Sequence, residues 1–141
     1  MTSQEQYNEL AFYTLSHKSN DFIHQNIVDA YTAQTADEKT KPIAMVYALA
    51  GLYLYLKKDF TGKQVQMAHV TMSKGSKVFE QINLPESRGK ITARDVLKTH
   101  PGTERDQMIH IWCLSVWEAY ASEQEKVIRM TNNLLQKVNT H

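Results

Sequence analysis

Apolar and polar positions along this chain repeat at the three- and four-residue spacing of a helix, and no stretch alternates with the period of two that a half-buried strand needs. Residues 3–6 (SQEQ) and 61–64 (TGKQ) have the composition of capping boxes, in which two side chains satisfy free N–H groups at a helix start, and residues 92–95 (TARD) start a short helix. Asn20 can cap a second helix, and Pro42 suits the first turn of a third. The pattern predicts an all-α fold of five or six helices.

Polar or turn-forming segments separate the predicted helices. The first helix ends near Leu15, and the second spans residues 21–34. The fourth ends at Ser73 or continues to Ile82, before the clearest loop of the chain, residues 83–90 (NLPESRGK). A short helix and a long segment without Pro or Gly complete the chain. The pattern leaves open whether that long segment forms one helix or two.

The third predicted helix, residues 43–56 (IAMVYALAGLYLYL), is apolar on every side. Such a helix belongs at the centre of a bundle, where each face meets a neighbour. Ala44, Ala48 and Gly51 would let neighbouring helices approach it closely. Its 14 residues fall short of the roughly 20 that cross a bilayer. We therefore expect a single-domain helical bundle, residues 1–141, built around this helix.

The segment after residue 102 carries two apolar stripes, whereas a helix on the outside of a bundle needs only one. The second stripe contains Leu114, Trp117, Ile128 and Leu135. A spare stripe indicates either deep burial or a partner chain, and the pattern leaves both open. We predict a homodimer that associates through these four residues.

Composition and charge narrow the classes of function. A hydrophobic fraction of 42% and a charged fraction of 22% exclude a disordered or fibrous chain. A formal net charge of +1 gives no basic surface, so both nucleic acid and an anionic membrane are disfavoured as partners. Cys113 is the only cysteine, and the N-terminus has neither a basic start nor an apolar signal core. We expect a protein of the cytoplasm.

The stretch FIHQNIVDAY, residues 22–31, places a histidine at the edge of an apolar helical face. On a helical wheel His24 falls beside Tyr31, and Gln34 lies near the middle of the apolar arc. Asp29 points away, about 140° around the helix from His24, so it could act only on a different surface. The simplest interpretation of His24 is a partly buried side chain that bonds to a tyrosine or a backbone carbonyl.

His69 has a similar place on the fourth predicted helix. Histidines on two helices of a bundle can converge, so we predict one polar pocket lined by His24, His69 and Gln34, with a tyrosine nearby. The pocket could hold a divalent metal such as zinc, although an ion needs a further ligand and the motifs HExxH, Glu-x-x-His and CxxC are absent from the sequence. The sequence identifies neither catalytic residues nor a small-molecule ligand.

His110 and Cys113 are three residues apart and share a helix face, which is how a nucleophile and its base could be arranged. The cysteine, however, lies within the apolar run IHIWCLSVW. Burial raises the pKa of a thiol and makes it unreactive. We therefore interpret Cys113 as a core residue.

Several blocks, among them FIHQNIVDAY, FTGKQVQMAHV and ERDQMIHIWCLSVWEAY, resemble in the same order a family of uncharacterised bacterial domains of unknown function. The resemblance runs from about Tyr7 to Tyr120. It marks the blocks around His24 and His69 as hallmarks of the family, but it implies no activity, substrate or cofactor. Members of that family can carry a short cysteine pair before the first helix, which this chain lacks.

Because no catalytic constellation is visible, we predict a non-enzymatic binding or self-associating interaction protein. The alternative is a metal-binding or metal-dependent helical-bundle enzyme with a histidine site between helices. The third hypothesis is a nucleic-acid accessory factor, which the near-zero net charge disfavours. The metal content of protein purified without a histidine tag distinguishes the first two.

Overall fold

The protein is built from helices, with no strand in the part of the chain that the structure describes. The computed structural model describes residues 1–17, 21–75 and 78–139. Within these ranges the helices are α1 (Ser3–Ser16), α2 (His24–Thr35), α3 (Pro42–Lys57), α4 (Gly62–Met72), α5 (Ala93–Leu97), α6 (Thr103–Ala119) and α7 (Gln124–Asn139), with a 3-10 turn at Ala121–Glu123. The all-α bundle predicted from the sequence is confirmed, with one more helix because the last segment is divided.

α3 lies at the centre of the bundle, as its apolar sequence predicts. It packs against α2, α4, α6 and α7, and residues 48–54 are all buried. Pro42 occupies its first turn, where the missing N–H removes no helical hydrogen bond. Among the described residues, no helix combines the length and the apolar character that crossing a bilayer requires.

The start of α4 shows how local sequence determines a helix boundary. Thr61 Oγ1 accepts a hydrogen bond from the Gln64 N–H at 3.2 Å, and the Gln64 side chain accepts one from the Thr61 N–H at 2.8 Å. This is the predicted capping box. α1 is capped one residue earlier than the sequence indicates, because Thr2 accepts from the Glu5 N–H.

The start of α2 differs from the prediction. The helix begins at His24 and not at residue 21, because Phe22 has a φ of +48°, a left-handed conformation that a right-handed helix cannot contain. Asn20, the predicted cap, lies outside the described residues. The chain therefore turns sharply just before His24, and this turn sets the direction in which that side chain leaves the helix.

The last segment breaks between α6 and α7 without any Gly or Pro. The Tyr120 hydroxyl donates to the Ala33 carbonyl at 2.6 Å, which ties the break to α2. The Glu123 carboxylate accepts from the Asn83 N–H and from the Lys126 ammonium, at 2.8 and 2.9 Å. The bonds of Tyr120 to Ala33 and of Glu123 to Asn83 are long-range, and they hold the break so that α6 and α7 each have their own buried face.

Candidate functional site

His24 bonds to α1. Its Nδ1 lies 2.9 Å from the Thr14 hydroxyl oxygen, so the two side chains are hydrogen-bonded to each other. The imidazole also meets the ring of Phe22 edge-on. The side chain is half-buried, and burial lowers the pKa of His24, which favours the neutral ring.

His69 bonds to α3. Its Nε2–H donates to the backbone carbonyl of Tyr47 at 2.8 Å, and the ring stacks on that tyrosine. Burial lowers the pKa of His69, while the bond to the carbonyl acts in the opposite direction. The structure therefore gives His24 and His69 partners on different helices.

A metal between these histidines stays a prediction. In the described part of the chain, no group of three or more His, Cys, Asp and Glu side chains is arranged so that it could hold an ion. A zinc site generally takes three or four protein ligands. Metal analysis of untagged protein is the direct test.

The Gln34 side chain, on α2, forms hydrogen bonds with α6 and with the segment that precedes α5. Its Oε1 accepts from the Trp112 Nε1–H at 2.9 Å, and its Nε2 donates to the carbonyls of Arg88 and Ile91 at 3.2 and 2.7 Å. These bonds join α2 to α6 and to the segment that precedes α5. Because both ends of the amide have partners, Gln34 has a structural role.

The segment before α5 is held against α2 and α6 at two further points. The Arg88 guanidinium donates to the backbone carbonyls of Ala36 and Gln34. Gly89 has a φ of +96°, and a Cβ atom at this position would lie 2.6 Å from the Ser115 hydroxyl oxygen. Glycine is therefore required here by conformation and by space.

Tyr31 lies in the seam between α1 and α2. Its ring stacks on Tyr7 with a centroid separation of 4.2 Å, and its hydroxyl donates to the Gln4 side chain at 3.4 Å. The interactions are those of a packing residue, and neither involves His24 or Gln34.

Asp29 does not point away from the core, as the helical wheel indicates, but lies inside it. The residue is only 3% exposed. Its Oδ1 accepts from the Gln25 side chain at 3.1 Å, whereas its Oδ2 has no partner among the described residues. Gly51 of α3 makes the room, since a Cβ atom there would lie 1.9 Å from Oδ2. The prediction was wrong because α2 packs against α1, α3, α4 and α6 and has no fully exposed side.

Asn26 of α2 and Cys113 of α6 are buried groups in the same part of the core as Asp29. Asn26 is 2% exposed, and its Oδ1 also has no hydrogen-bond partner in the described part of the chain. The Cys113 thiol is fully buried, and its Sγ donates to the Asn26 backbone carbonyl at 3.5 Å. Burial raises the pKa of Cys113, so the thiol is protonated and unreactive. Burial also raises the pKa of Asp29 well above its ordinary value.

A groove of about 360 Å³ lies on the surface between α4 and α7. It is lined by Phe60, Lys63, Gln64, Met67, Ala68, Thr71 and Leu135. Met67 is 58% exposed, and Val70, one turn further along α4, is 47% exposed. The groove thus combines an apolar depression with apolar side chains that stand beside it.

The four predicted interface residues have different surroundings. Trp117 is 2% exposed and packs beside Tyr53, so its own chain covers it. Leu114, Ile128 and Leu135 keep part of their surface open. Of these, Leu135 is the residue that reaches the groove. If the chain self-associates through the predicted residues, the contact must therefore be made by Leu114, Ile128 and Leu135.

The comparisons with known proteins agree with the resemblance seen in the sequence. Neither a curated protein nor a solved structure matches the chain. A sequence model of one family matches residues 3–121, from the first residue of α1 to the turn after α6. The chain belongs to this family, DUF5946, a family of unknown function.

Proposed function

We propose that this chain is a non-enzymatic interaction domain that associates with a second copy of itself through the groove between α4 and α7. The groove itself carries this proposal, because Met67 lines this mostly apolar concave surface and Val70, three residues further along α4, is also exposed. Residues three apart on a helix point in similar directions, so both side chains project together. In a two-fold dimer each copy can place this pair in the groove of the other, and one patch then serves both partners.

The apolar stripe of α7 supports the same surface. Leu135 lines the groove, and Ile128 lies two turns earlier on nearly the same side of the helix, because seven residues make almost two full turns. Both side chains are partly exposed. Stable dimers bury about 800 Å² on each partner, so we expect the contact to extend from the groove along this stripe.

The side chains that could do chemistry support a binding role. His24 and His69 each bond to their own chain, and the Cys113 thiol is enclosed and protonated. A cysteine nucleophile needs a lowered pKa and access to solvent. A single cysteine also suits the reducing conditions of the cytoplasm, where we place this domain.

The test is a charge placed on the proposed surface, with a matched charge elsewhere. Val70→Lys puts an ammonium beside the groove, and we expect it to weaken the dimer dissociation constant at least tenfold in sedimentation equilibrium. Ile111→Lys is the control, because Ile111 is also β-branched and also 47% exposed, but it lies on α6. Circular dichroism of both variants should match the wild type, since exposed substitutions change stability little.

Two results would contradict the proposal. One is a wild-type protein that sediments as a monomer at high micromolar concentration, because there would then be no association to weaken. The other is an Ile111→Lys variant that dissociates as readily as Val70→Lys, which would place the contact on α6 or show a general effect of charge.

A further inference from the structure

We propose that Asp29 is kept in the core as a neutral carboxylic acid, and that its ionisation loosens the seam between α2 and α3. The group is then a proton-sensitive device inside the bundle. It is independent of the groove and of self-association.

The first support is the location of the carboxyl. Asp29 is 3% exposed, and Oδ2 rests against the backbone of Gly51, where even a methyl group would collide with it. The helices α2 and α3 form the most extensive helix pair of the bundle. A carboxyl group in this seam can change its charge only by changing how the two helices pack.

The second support is the absence of any charge that could balance an ionised Asp29. In the described residues, no Lys, Arg or His forms an ion pair with it. The titratable groups that face it are Tyr7 of α1 and Cys113 of α6, and both are neutral because burial raises the pKa of each. α3 contributes the Gly51 backbone at this point, and α4 contributes Val65. A buried charge without a partner is far costlier than a buried neutral acid.

The third support is the pair of unpaired oxygens. Within the described part of the chain, Asn26 Oδ1 and Asp29 Oδ2 are both buried acceptors without a donor, and the two residues lie three apart on α2, where their side chains point in similar directions. A proton on Asp29 turns Oδ2 from an acceptor into a donor. The neutral acid therefore leaves one unsatisfied buried acceptor fewer than the carboxylate does.

The direction of the pH effect follows from burial. The pKa of Asp29 is raised in the folded state above the ordinary value of 3.8, so the folded protein holds a proton that the unfolded chain releases. The contribution of Asp29 to the free energy of unfolding is complete below pH 3.8 and declines as the pH rises towards the pKa of Asp29 in the folded state. An asparagine at position 29 would have nearly the same shape as the protonated acid, but its contribution to stability would not depend on pH.

The experiment compares Asp29→Asn with the wild type and with Glu86→Gln, a control at an exposed position. We expect Asp29→Asn to have the higher urea midpoint at pH 8, and the excess to shrink as the pH is lowered to 4.5. Glu86→Gln should follow the wild type at both values. At pH 8, backbone amides around Gly51 should exchange more slowly in Asp29→Asn than in the wild type, because the variant cannot ionise.

An Asp29→Asn midpoint below that of the wild type at both pH values would overturn the proposal, because Asp29 would then act as an ionised acceptor. Equal exchange around Gly51 at pH 8 would overturn the loosening of the seam. If Asp29→Asn does not fold, Asp29→Ser keeps a small neutral donor, and the same two comparisons apply to it.

Discussion

Gln34 and Asp29 lie five residues apart on α2, and they differ in whether their hydrogen bonds are complete. Gln34 uses its oxygen on Trp112 and its nitrogen on two backbone carbonyls. Asp29 is more deeply buried, yet among the residues that the structure describes its side chain bonds only to Gln25 and keeps one oxygen unpaired. The comparison shows that a polar side chain in a helical core is not by itself the sign of a site. An unsatisfied one is the informative observation.

The two residues also act on the fold in opposite ways. A complete network of hydrogen bonds fixes one arrangement of the segments it joins, and Gln34 fixes the segment before α5. An unsatisfied acid lowers stability, and natural proteins concentrate such groups where function constrains the sequence. Asp29 is therefore the position where substitution can stabilise the protein, whereas Gln34 is one where it cannot.

The largest expected effect is the loss of the Gln34 network. Gln34→Leu leaves the buried Trp112 N–H and the carbonyls of Arg88 and Ile91 without their partner, so we expect a loss of about 3 kcal/mol in the free energy of unfolding. Gln66→Leu, on an exposed position of α4, is the control and should stay within about 0.5 kcal/mol of the wild type. A urea titration of Gln34→Leu that matches its control would show that these bonds do not form in solution.

A smaller effect is expected at the contact between Gly51 and Asp29. Gly51→Ala places a methyl group where Asp29 Oδ2 lies, and we expect it to cost about 2 kcal/mol, with Gly51→Leu costing more. Asp29→Ala removes the obstructing atoms, so the double variant should lose less than the sum of the single ones. Strict additivity of the three urea measurements would mean that the carboxyl does not rest on Gly51.

The central helix and the cap of α4 could be predicted from the sequence because the signals are local. Residues 43–56 are apolar on every side, and residues 48–54 of α3 are all buried. The capping box of α4 needs only Thr61 and Gln64. Features that depend only on residues within one helix, such as its apolar faces and its cap, can therefore be predicted from the sequence.

The rest depends on neighbours that a single helix does not reveal. A helical wheel gives the apolar side of α2, but it does not show that other helices cover the opposite side too, and so it misplaced Asp29. The partners of Gln34 lie more than fifty residues away in the chain. The break at Tyr120 coincides with a bond to α2, and of the second stripe it is Trp117 that its own chain buries.

The smallest expected effect concerns His69, whose titration runs opposite to that of Asp29. Burial lowers the pKa of His69, so the stability it contributes is present above its ordinary value of 6.5 and is lost as the pH falls below it. His69→Gln should cost about 1 kcal/mol or less at pH 7, and it should reduce the loss of stability between pH 7 and pH 5. His100→Gln, at an exposed position, should leave that loss unchanged. If His69→Gln loses as much stability as the wild type between pH 7 and pH 5, another group causes that loss.

The charge of Asp29 itself can be observed without unfolding the protein. A protonated carboxylic acid and a carboxylate have separate carbonyl bands in the infrared spectrum, and Asp29→Asn removes the one side chain in question. At pH 7, we expect the wild-type spectrum minus that of Asp29→Asn to contain the band of a protonated acid. A difference spectrum with only carboxylate bands would mean that Asp29 is ionised in the core, and it would contradict the account of this centre.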